Sequence, residues 1–399
     1  MLKDAFTSTG AKFFAHQEAM RKLQNGQGQP IVTHVMLTDV CNHSCAFCSV
    51  QARAGDSLPF EDVMNYLDIL RRFGLKAVIL SGGGNPILYK NEWHDFNDVV
   101  EAIHSMGLEI GLITNGMPLT KYEWLHEGAG LTYRESWKII RQETLDKLTW
   151  VRISMAGLDH VENEVYVPDI DPSKTTLGFS YVGHDIYVEP ADPHHGKVST
   201  RADLLSGDKA PERPFESRID ELIDSITHYA RVYQPKYVRL LPNCLEPELI
   251  SRRCEQLEAM ASVINSRLHE TYLATEEPSI LALKSDYAPV FVQHKPPKAP
   301  HACYLGYIHP VLNCDGYVYP CDSCVLNEAA GHQFANPWRI CHWKDIASIY
   351  EKPVRSLIAD PGTLCPGCVF TQSNEQLRGV VEGGSFSPPE VTPEHVNFV

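Results

Sequence analysis

Cys41, Cys45 and Cys48 follow one another as Cys-x3-Cys-x2-Cys in the run Cys41-Asn42-His43-Ser44-Cys45-Ala46-Phe47-Cys48. Thiolates are soft ligands that suit iron–sulfur clusters and zinc. Three thiolates on a cubane of four irons leave one iron without a protein ligand, and a small chelating molecule can take that position. Structural zinc is the competing chemistry, since Cys-x2-Cys pairs also ligate zinc. Zinc wants a fourth ligand, however, and no further Cys lies near this triplet. His43 falls inside the loop and reads as a spacer. A second field of Cys residues comprises Cys303, Cys314, Cys321, Cys324, Cys341, Cys365 and Cys368, with Cys365-Pro366-Gly367-Cys368 as a compact pair. A zinc ribbon built from Cys321, Cys324, Cys365 and Cys368 is one reading of that field.

The elements that must position these thiols are legible in the chain. Ile31 to Leu37 is a run of apolar and β-branched residues that reads as a strand and feeds the first Cys loop. From there strands and helices alternate. Strands are expected at Ala77–Ser81, Glu109–Thr114, Trp150–Ser154, Thr176–Val182 and Tyr237–Leu241. Helices are expected from Pro59 to about Phe73, at Phe96–Met106, at about Tyr133–Lys147, at Glu216–Tyr233 and at about Glu246–Thr271. Such alternation implies α/β architecture with a parallel sheet, closed or partly closed. In that architecture the loops at the C-terminal ends of the strands carry function. Gly82-Gly83-Gly84-Asn85, Thr114-Asn115-Gly116, Ser154 and Asn243 all fall at such ends. Glycines there let backbone come close to a neighbour and adopt positive φ. The Asp-, His- and Pro-rich stretch from Gly183 to Pro214, and the run Asp159 to Glu164, read as substrate-facing loops. His194 and His195 lie in the former without metal-ligand spacing.

In the second field, Cys314-Asp315-Gly316 marks a hairpin turn between Ile308–Asn313 and Tyr317–Pro320, which delivers Cys321, and a helix follows at about Trp343–Tyr350. Breakers at Glu276–Pro278 and Lys295–Pro300 suggest a domain boundary. The expected organisation is a lead-in helix over 1–30, a barrel over 31–245, a connecting helix and linker over 246–300, a Cys-rich unit over 301–378 and a flexible tail over 379–399.

Composition narrows the function classes. The chain has 399 residues and a formal net charge of −15, so it advertises no nucleic-acid surface. It contains no apolar stretch of the roughly 18 residues needed to span a bilayer. Twelve Cys without a signal-peptide core suggest metal ligation in a reducing cytoplasm rather than a disulfide frame.

The triplet, with the aromatic Phe47 before its third Cys, resembles the signature of the radical S-adenosylmethionine (radical SAM) superfamily. The resemblance implies a partial (β/α)6 TIM-like barrel. It implies that Cys41, Cys45 and Cys48 hold a [4Fe-4S] cluster whose open iron binds S-adenosylmethionine. Reductive cleavage then releases a 5'-deoxyadenosyl radical that abstracts hydrogen from a substrate. It also implies that Gly82, Gly83 and Gly84 contact the methionyl amino group, with Asn85 where an acidic residue is common. Ser154 is implied at the ribose hydroxyls or methionyl carboxylate, with Arg152 as a weaker option, Asn243 near the adenine, and Thr114 and Asn115 on the same rim. Asp315-Gly316-Tyr317-Val318-Tyr319-Pro320-Cys321 resembles the central phrase of SPASM and twitch extensions, small α+β units built on a β-hairpin and helix that bind auxiliary iron–sulfur clusters. On that pattern Cys303, Cys321, Cys365 and Cys368 hold one auxiliary [4Fe-4S] cluster, and the spare Cys314, Cys324 and Cys341 leave a second open. Expected partners are a small metabolite or peptide substrate and an electron donor such as flavodoxin or ferredoxin. A nucleic-acid base or nucleoside substrate and a non-catalytic zinc scaffold are the rivals.

Overall fold

The computed structural model describes residues 6, 12–43, 45, 47–48, 55–116, 122–127, 130–135, 140–159, 165–184, 215–244, 247–273, 288–294, 298–323 and 338–399. Its centre is a ten-stranded sheet. The strands are β1 (Val32–Val35), β2 (Ala77–Leu80), β3 (Glu109–Thr114), β4 (Trp150–Ser154), β5 (Thr176–Gly183), β6 (Tyr237–Pro242), β7 (Val290–Val292), β8 (Val311–Leu312), β9 (Tyr317–Tyr319) and β10 (Cys341–His342). Their order across the sheet is β7-β6-β5-β4-β3-β2-β1-β8-β9-β10. From β7 to β8 every neighbouring pair is parallel, and β8-β9-β10 is an antiparallel meander. The sheet is open among the described residues, with β7 and β10 as its edges.

The strands form because their runs are dominated by apolar and β-branched residues, as suits a parallel sheet with both faces covered. Val32, Val35, Ala77, Val78, Leu80, Ile110 and Leu112 are at most 0 % exposed. Helix α1 (Gln17–Gln24) precedes β1, and helices α2 (Phe60–Phe73), α3 (Phe96–Ser105), α4 (Gln142–Leu145), α5 (Ile219–Tyr233) and α6 (Ile250–Leu273) fall between parallel strands of the sheet. Helix α2 buries the expected stripe of Val63, Tyr66, Leu67 and Leu70, and Gly74 ends it in the left-handed conformation. Each such buried side chain contributes about 1.5–3 kcal/mol of transfer free energy, an upper bound. Helix α3 starts in a capping box between Asp95 and Asp98.

Four expectations change. The helix expected over about Tyr133–Lys147 is a hairpin, Tyr122–Glu127 against Gly130–Glu135, followed by the short α4. The sequence on either side of Gly128-Ala129-Gly130 is aromatic and β-prone, which favours strands over a helix here. The expected linker carries β7, a seventh parallel strand. The boundary near residue 300 does not divide the sheet, because β8 pairs in parallel with β1 through His34↔Val311 and Val35↔Leu312. Finally, residues 379–399 are not loosely draped. Helix α7 (Thr371–Val381) enters this segment, and Phe398 and Val399 are 5 % and 3 % exposed. Lys12 Nζ donates to the Phe398 carbonyl at 3.2 Å, and Asn397 Nδ2 donates to Glu109 Oε1 at 2.7 Å. Apolar residues at the very end of a Gly- and Pro-rich segment outweigh its composition. No helix among the described residues is long and apolar enough to cross a membrane.

Candidate functional site

The first Cys loop leaves the C-terminal end of β1 and is pinched at its base. Leu58 N–H donates to the Leu37 carbonyl at 2.9 Å, and Asp39 N–H to the Asp56 carbonyl at 3.0 Å. Thr38 Oγ1 donates to the Asp56 carbonyl and receives Ser57 Oγ, each at 2.9 Å. Inside this neck Cys41, Cys45 and Cys48 are half-buried. Cys48 N–H donates to the Cys45 carbonyl at 2.9 Å, and His43 Nδ1 lies 3.9 Å from Cys45 Sγ.

The glycine turn after β2 locks onto that loop. Gly84 N–H donates to the Thr38 carbonyl and Asn85 N–H to the Val40 carbonyl, both at 2.8 Å. Gly83 has φ +60°, and a Cβ there would meet the Thr38 carbonyl oxygen at 2.7 Å. A Cβ on Gly84 would run into the Val40 carbonyl. The close approach that these glycines permit is therefore to the backbone of the Cys loop.

Asn85 is the hub of a buried amide network and is 2 % exposed. Its Nδ2 donates to Asn42 Oδ1 at 3.1 Å and to Asn115 Oδ1 at 3.0 Å, and its Oδ1 accepts from Thr114 Oγ1 at 2.9 Å. Asn115 Nδ2 donates to Asn42 Oδ1 at 2.7 Å and points to Cys41 Sγ at 3.8 Å. A carboxylate accepts but cannot donate. Only an amide at position 85 can serve both neighbouring carbonyl oxygens, which explains Asn85 where the resemblance implied an acid. Asn42 had no assigned role in the sequence reading, because a polar residue between two Cys carries no spacing signal. Ser154, at the end of β4, and Asn243, just after β6, stand on the same rim outside this network.

Phe47 packs on His184, with ring centroids 4.9 Å apart. His184 Nε2 donates to Asp159 Oδ2 at 3.2 Å, and Asp159 Oδ1 accepts from Tyr181 OH and Arg218 Nη1, each at 2.8 Å. Burial opposes ionisation of Asp159, but bonds from His184 and Arg218 outweigh it and hold its carboxyl below the usual range. This cluster was also missed. Its members are single polar residues near strand ends, brought together only by the sheet. The remainder of the loops expected to face substrate, with His194 and His195, lies outside the described residues.

The second Cys set gathers in a different setting. Met36, Cys303, Val311, Tyr319, Trp338 and Ile358 form one buried cluster, with Cys321 and Cys365 packed against it. Burial pushes the Cys303 thiol up, and the neighbouring thiols of Cys321, Cys368 and Cys365 push it further. Cys368 is likewise raised to about 12, by burial first and then by Cys321. Trp338 Nε1 donates to Cys365 Sγ at 3.3 Å. The spare thiols sit apart. Cys314, raised to about 12 by burial, also feels Asp39, Asp315 and Asp56, and Cys341, raised to about 12 by burial, feels Asp345. Cys324 lies outside the described residues.

Among the described residues no three His, Cys, Asp or Glu side chains converge closely enough to hold a single metal ion. The donor chemistry nevertheless fits iron–sulfur clusters. Both sets are thiols, and in the second the crowding that makes ionisation unfavourable is relieved when metal takes the place of the protons.

Residues 35–159 match the family model of the radical SAM superfamily. A probable GTP 3',8-cyclase of Saccharolobus islandicus is 31 % identical over 129 residues, 31 % of this chain and 40 % of that protein. An S-adenosylmethionine-dependent nucleotide dehydratase of Selenomonas ruminantium is 29 % identical over 80 residues, 20 % of this chain and 28 % of the relative. The chain thus spans less than half the length of these curated relatives. Streptococcus suis SuiB, solved with its precursor peptide SuiA, superimposes with a TM-score of 0.43 at 13 % identity, over 96 % of this chain and 79 % of that one. The Cys triplet, seated at the end of β1, lies within the segment of the chain that matches the radical SAM family model.

Proposed function

We propose that this protein is a radical SAM enzyme that oxidises or otherwise modifies a small metabolite or peptide at an unactivated C–H bond. The observation that carries the reading is the thiol triplet of Cys41, Cys45 and Cys48 on a pinched loop, backed by the amide network of Asn42, Asn85 and Asn115. Those thiols would hold a [4Fe-4S] cluster. When bound, the cluster supplies the electron that cleaves S-adenosylmethionine and so yields a 5'-deoxyadenosyl radical. The chain's own work is to hold, orient and shield. Asn115 directs an N–H toward Cys41 sulfur, Phe47 fixes the loop against His184, and Ser154 and Asn243 offer polar groups at the rim.

Cys303, Cys321, Cys365 and Cys368 would hold one auxiliary [4Fe-4S] cluster. A site saturated by four thiolates suits electron transfer better than direct substrate ligation. The separate surroundings of Cys314 and Cys341 support one auxiliary cluster rather than two. The names of both curated relatives describe nucleotide chemistry, which favours a small metabolite over a peptide. An electron donor of the flavodoxin or ferredoxin kind and a cytoplasmic setting complete the reading.

The test is 5'-deoxyadenosine formation by anaerobically reconstituted protein given S-adenosylmethionine and a strong reductant, with and without pools of small metabolites or peptides. We expect basal formation that one pool raises, with about eight irons per chain. No 5'-deoxyadenosine in any arm, together with zinc in place of iron, would overturn the reading and favour a metal scaffold.

A further inference from the structure

Asp159, Tyr181, His184 and Arg218 form a polar cluster that stability alone does not explain. Its members are withdrawn from water: the side chains of Asp159, His184 and Arg218 are 8 %, 3 % and 6 % exposed. A buried ion pair is a weak source of stability, because the cost of removing both charges from water offsets most of their attraction. What a fully bonded polar cluster does supply is fixed geometry.

Three elements converge on the Asp159 carboxylate. Asp159 closes the short 3-10 helix Met155–Asp159 that follows β4. Tyr181 lies in β5, and His184 directly follows that strand. Arg218 ends the turn Phe215–Arg218 and leads into α5. That turn is itself held, for Phe215 is fully buried and its ring centre lies 4.2 Å from the Arg253 guanidinium of α6. A carboxylate accepts several hydrogen bonds and donates none. Its Oδ1 takes Tyr181 OH and Arg218 Nη1, and its Oδ2 takes His184 Nε2. The last of these bonds sets which way the imidazole ring turns.

The ring is turned toward Phe47. Their centroids are 4.9 Å apart and their planes 54° from parallel, a tilted pairing that aromatic rings favour. Phe47 stands immediately before Cys48. The neck and the glycine turn hold the first half of the Cys loop, through Leu37, Thr38, Asp39 and Val40, and the amide network holds Asn42. The second half meets the end of β5 where Phe47 packs on His184. The loop is thus anchored on two sides, by amides that follow β2 and β3 and by a carboxylate cluster that follows β4 and β5.

We propose that Asp159 is a positioning residue: through His184 it holds Phe47, and with it Cys48, where the iron–sulfur cluster and S-adenosylmethionine require them. The proposal rests on the radical SAM reading and adds to it the chain of contacts from Asp159 through His184 to Phe47.

The test is a double-mutant cycle on the full chain loaded with iron and sulfide. Asp159→Asn leaves one accepting oxygen where there were two, so it cannot accept from His184 and from Arg218 on opposite sides. Phe47→Leu removes the ring that His184 supports. Each variant and the combined one are compared with wild type for iron content, for the dissociation constant of S-adenosylmethionine without reductant, and for the EPR spectrum of the reduced cluster with and without S-adenosylmethionine. We expect unchanged iron, affinity about three- to tenfold weaker in each single variant, and the same alteration of the spectrum in both. In the combined variant the loss should be no larger than the greater single loss, because both changes act through one contact. Losses that multiply, or wild-type affinity and spectrum in Asp159→Asn, overturn the proposal. Tyr181→Phe, which removes one bond to Asp159 and no charge, carries the same cycle if Asp159→Asn does not fold. Wild-type protein that binds no S-adenosylmethionine overturns the radical SAM reading and the proposal together. Normal wild-type binding with an unaffected Asp159→Asn overturns the proposal alone.

Discussion

The two thiol sets share one sheet but live in opposite surroundings. Cys41, Cys45 and Cys48 are half-buried, and Cys41 faces an amide network in which Asn42, Asn85 and Asn115 are hydrogen-bonded to one another. Cys303 is 8 % exposed and sits among Met36, Tyr319, Trp338 and Ile358. A polar, partly open setting suits a site that must admit and release a charged ligand. An apolar, aromatic one excludes water and suits a group whose ligands never exchange. On the proposed reading, the difference teaches that iron ligation alone would not set a role; the access left around it would.

The comparison breaks most sharply at Gly84. Gly84→Ala pushes against the Val40 carbonyl and must displace the Cys loop. Iron should fall by about four per chain, and 5'-deoxyadenosine should drop to background. Cys365→Ser should also lose about four irons yet keep basal 5'-deoxyadenosine formation. If both variants lost that activity equally, the division of labour would be wrong.

Asn85→Asp comes next. It keeps the shape but removes both donated bonds, so Asn115 Oδ1 loses the Asn85 donor and Asn42 Oδ1 keeps only the bond from Asn115 Nδ2. A loss of about 1–3 kcal/mol is expected, read as a lower unfolding midpoint together with weaker S-adenosylmethionine binding.

These sites were unequally legible. The Cys triplet and the Asp315–Cys321 phrase carry fixed spacings, and the strands beside them are rich in apolar and β-branched residues, so their place after β1 and on the β8–β9 hairpin was legible. The strand at Val290–Val292 is three residues long and flanked by prolines, too short for periodicity to reveal. Asp159, His184 and Arg218 are far apart in the chain and meet only because β4 and β5 are neighbours in register.

Acid sensitivity sharpens the contrast between the sheet interior and its rim. Burial lowers the pKa of His309 and of His395 to about 4, from an ordinary 6.5. The folded state resists protonation at both, so their contribution is fully present above pH 6.5 and is lost as pH falls toward about 4. The unfolding midpoint should drop across that window, and His395→Asn should make the drop shallower by several degrees.

The smallest expected effect is at Trp338. Trp338→Phe removes the N–H donated to Cys365 sulfur, worth about 1 kcal/mol, or roughly 40 mV for a one-electron couple. The midpoint potential of the auxiliary cluster should become more negative by that amount, with iron content unchanged. An unchanged potential would mean that burial alone sets it.

The pairing of β1 with β8 has a consequence for how the molecule is made. Thr33 Oγ1 donates to the Pro310 carbonyl across 277 residues of chain. At a synthesis rate of about 5–20 residues per second, β1 therefore waits roughly 15–55 s for its partner to leave the ribosome. During that interval the strand bearing the first thiol triplet is an open edge, able to pair with other chains. A nascent chain released near residue 300 would keep that edge exposed, so ribosome stalling before β8 should send this protein to aggregation rather than to a smaller working enzyme.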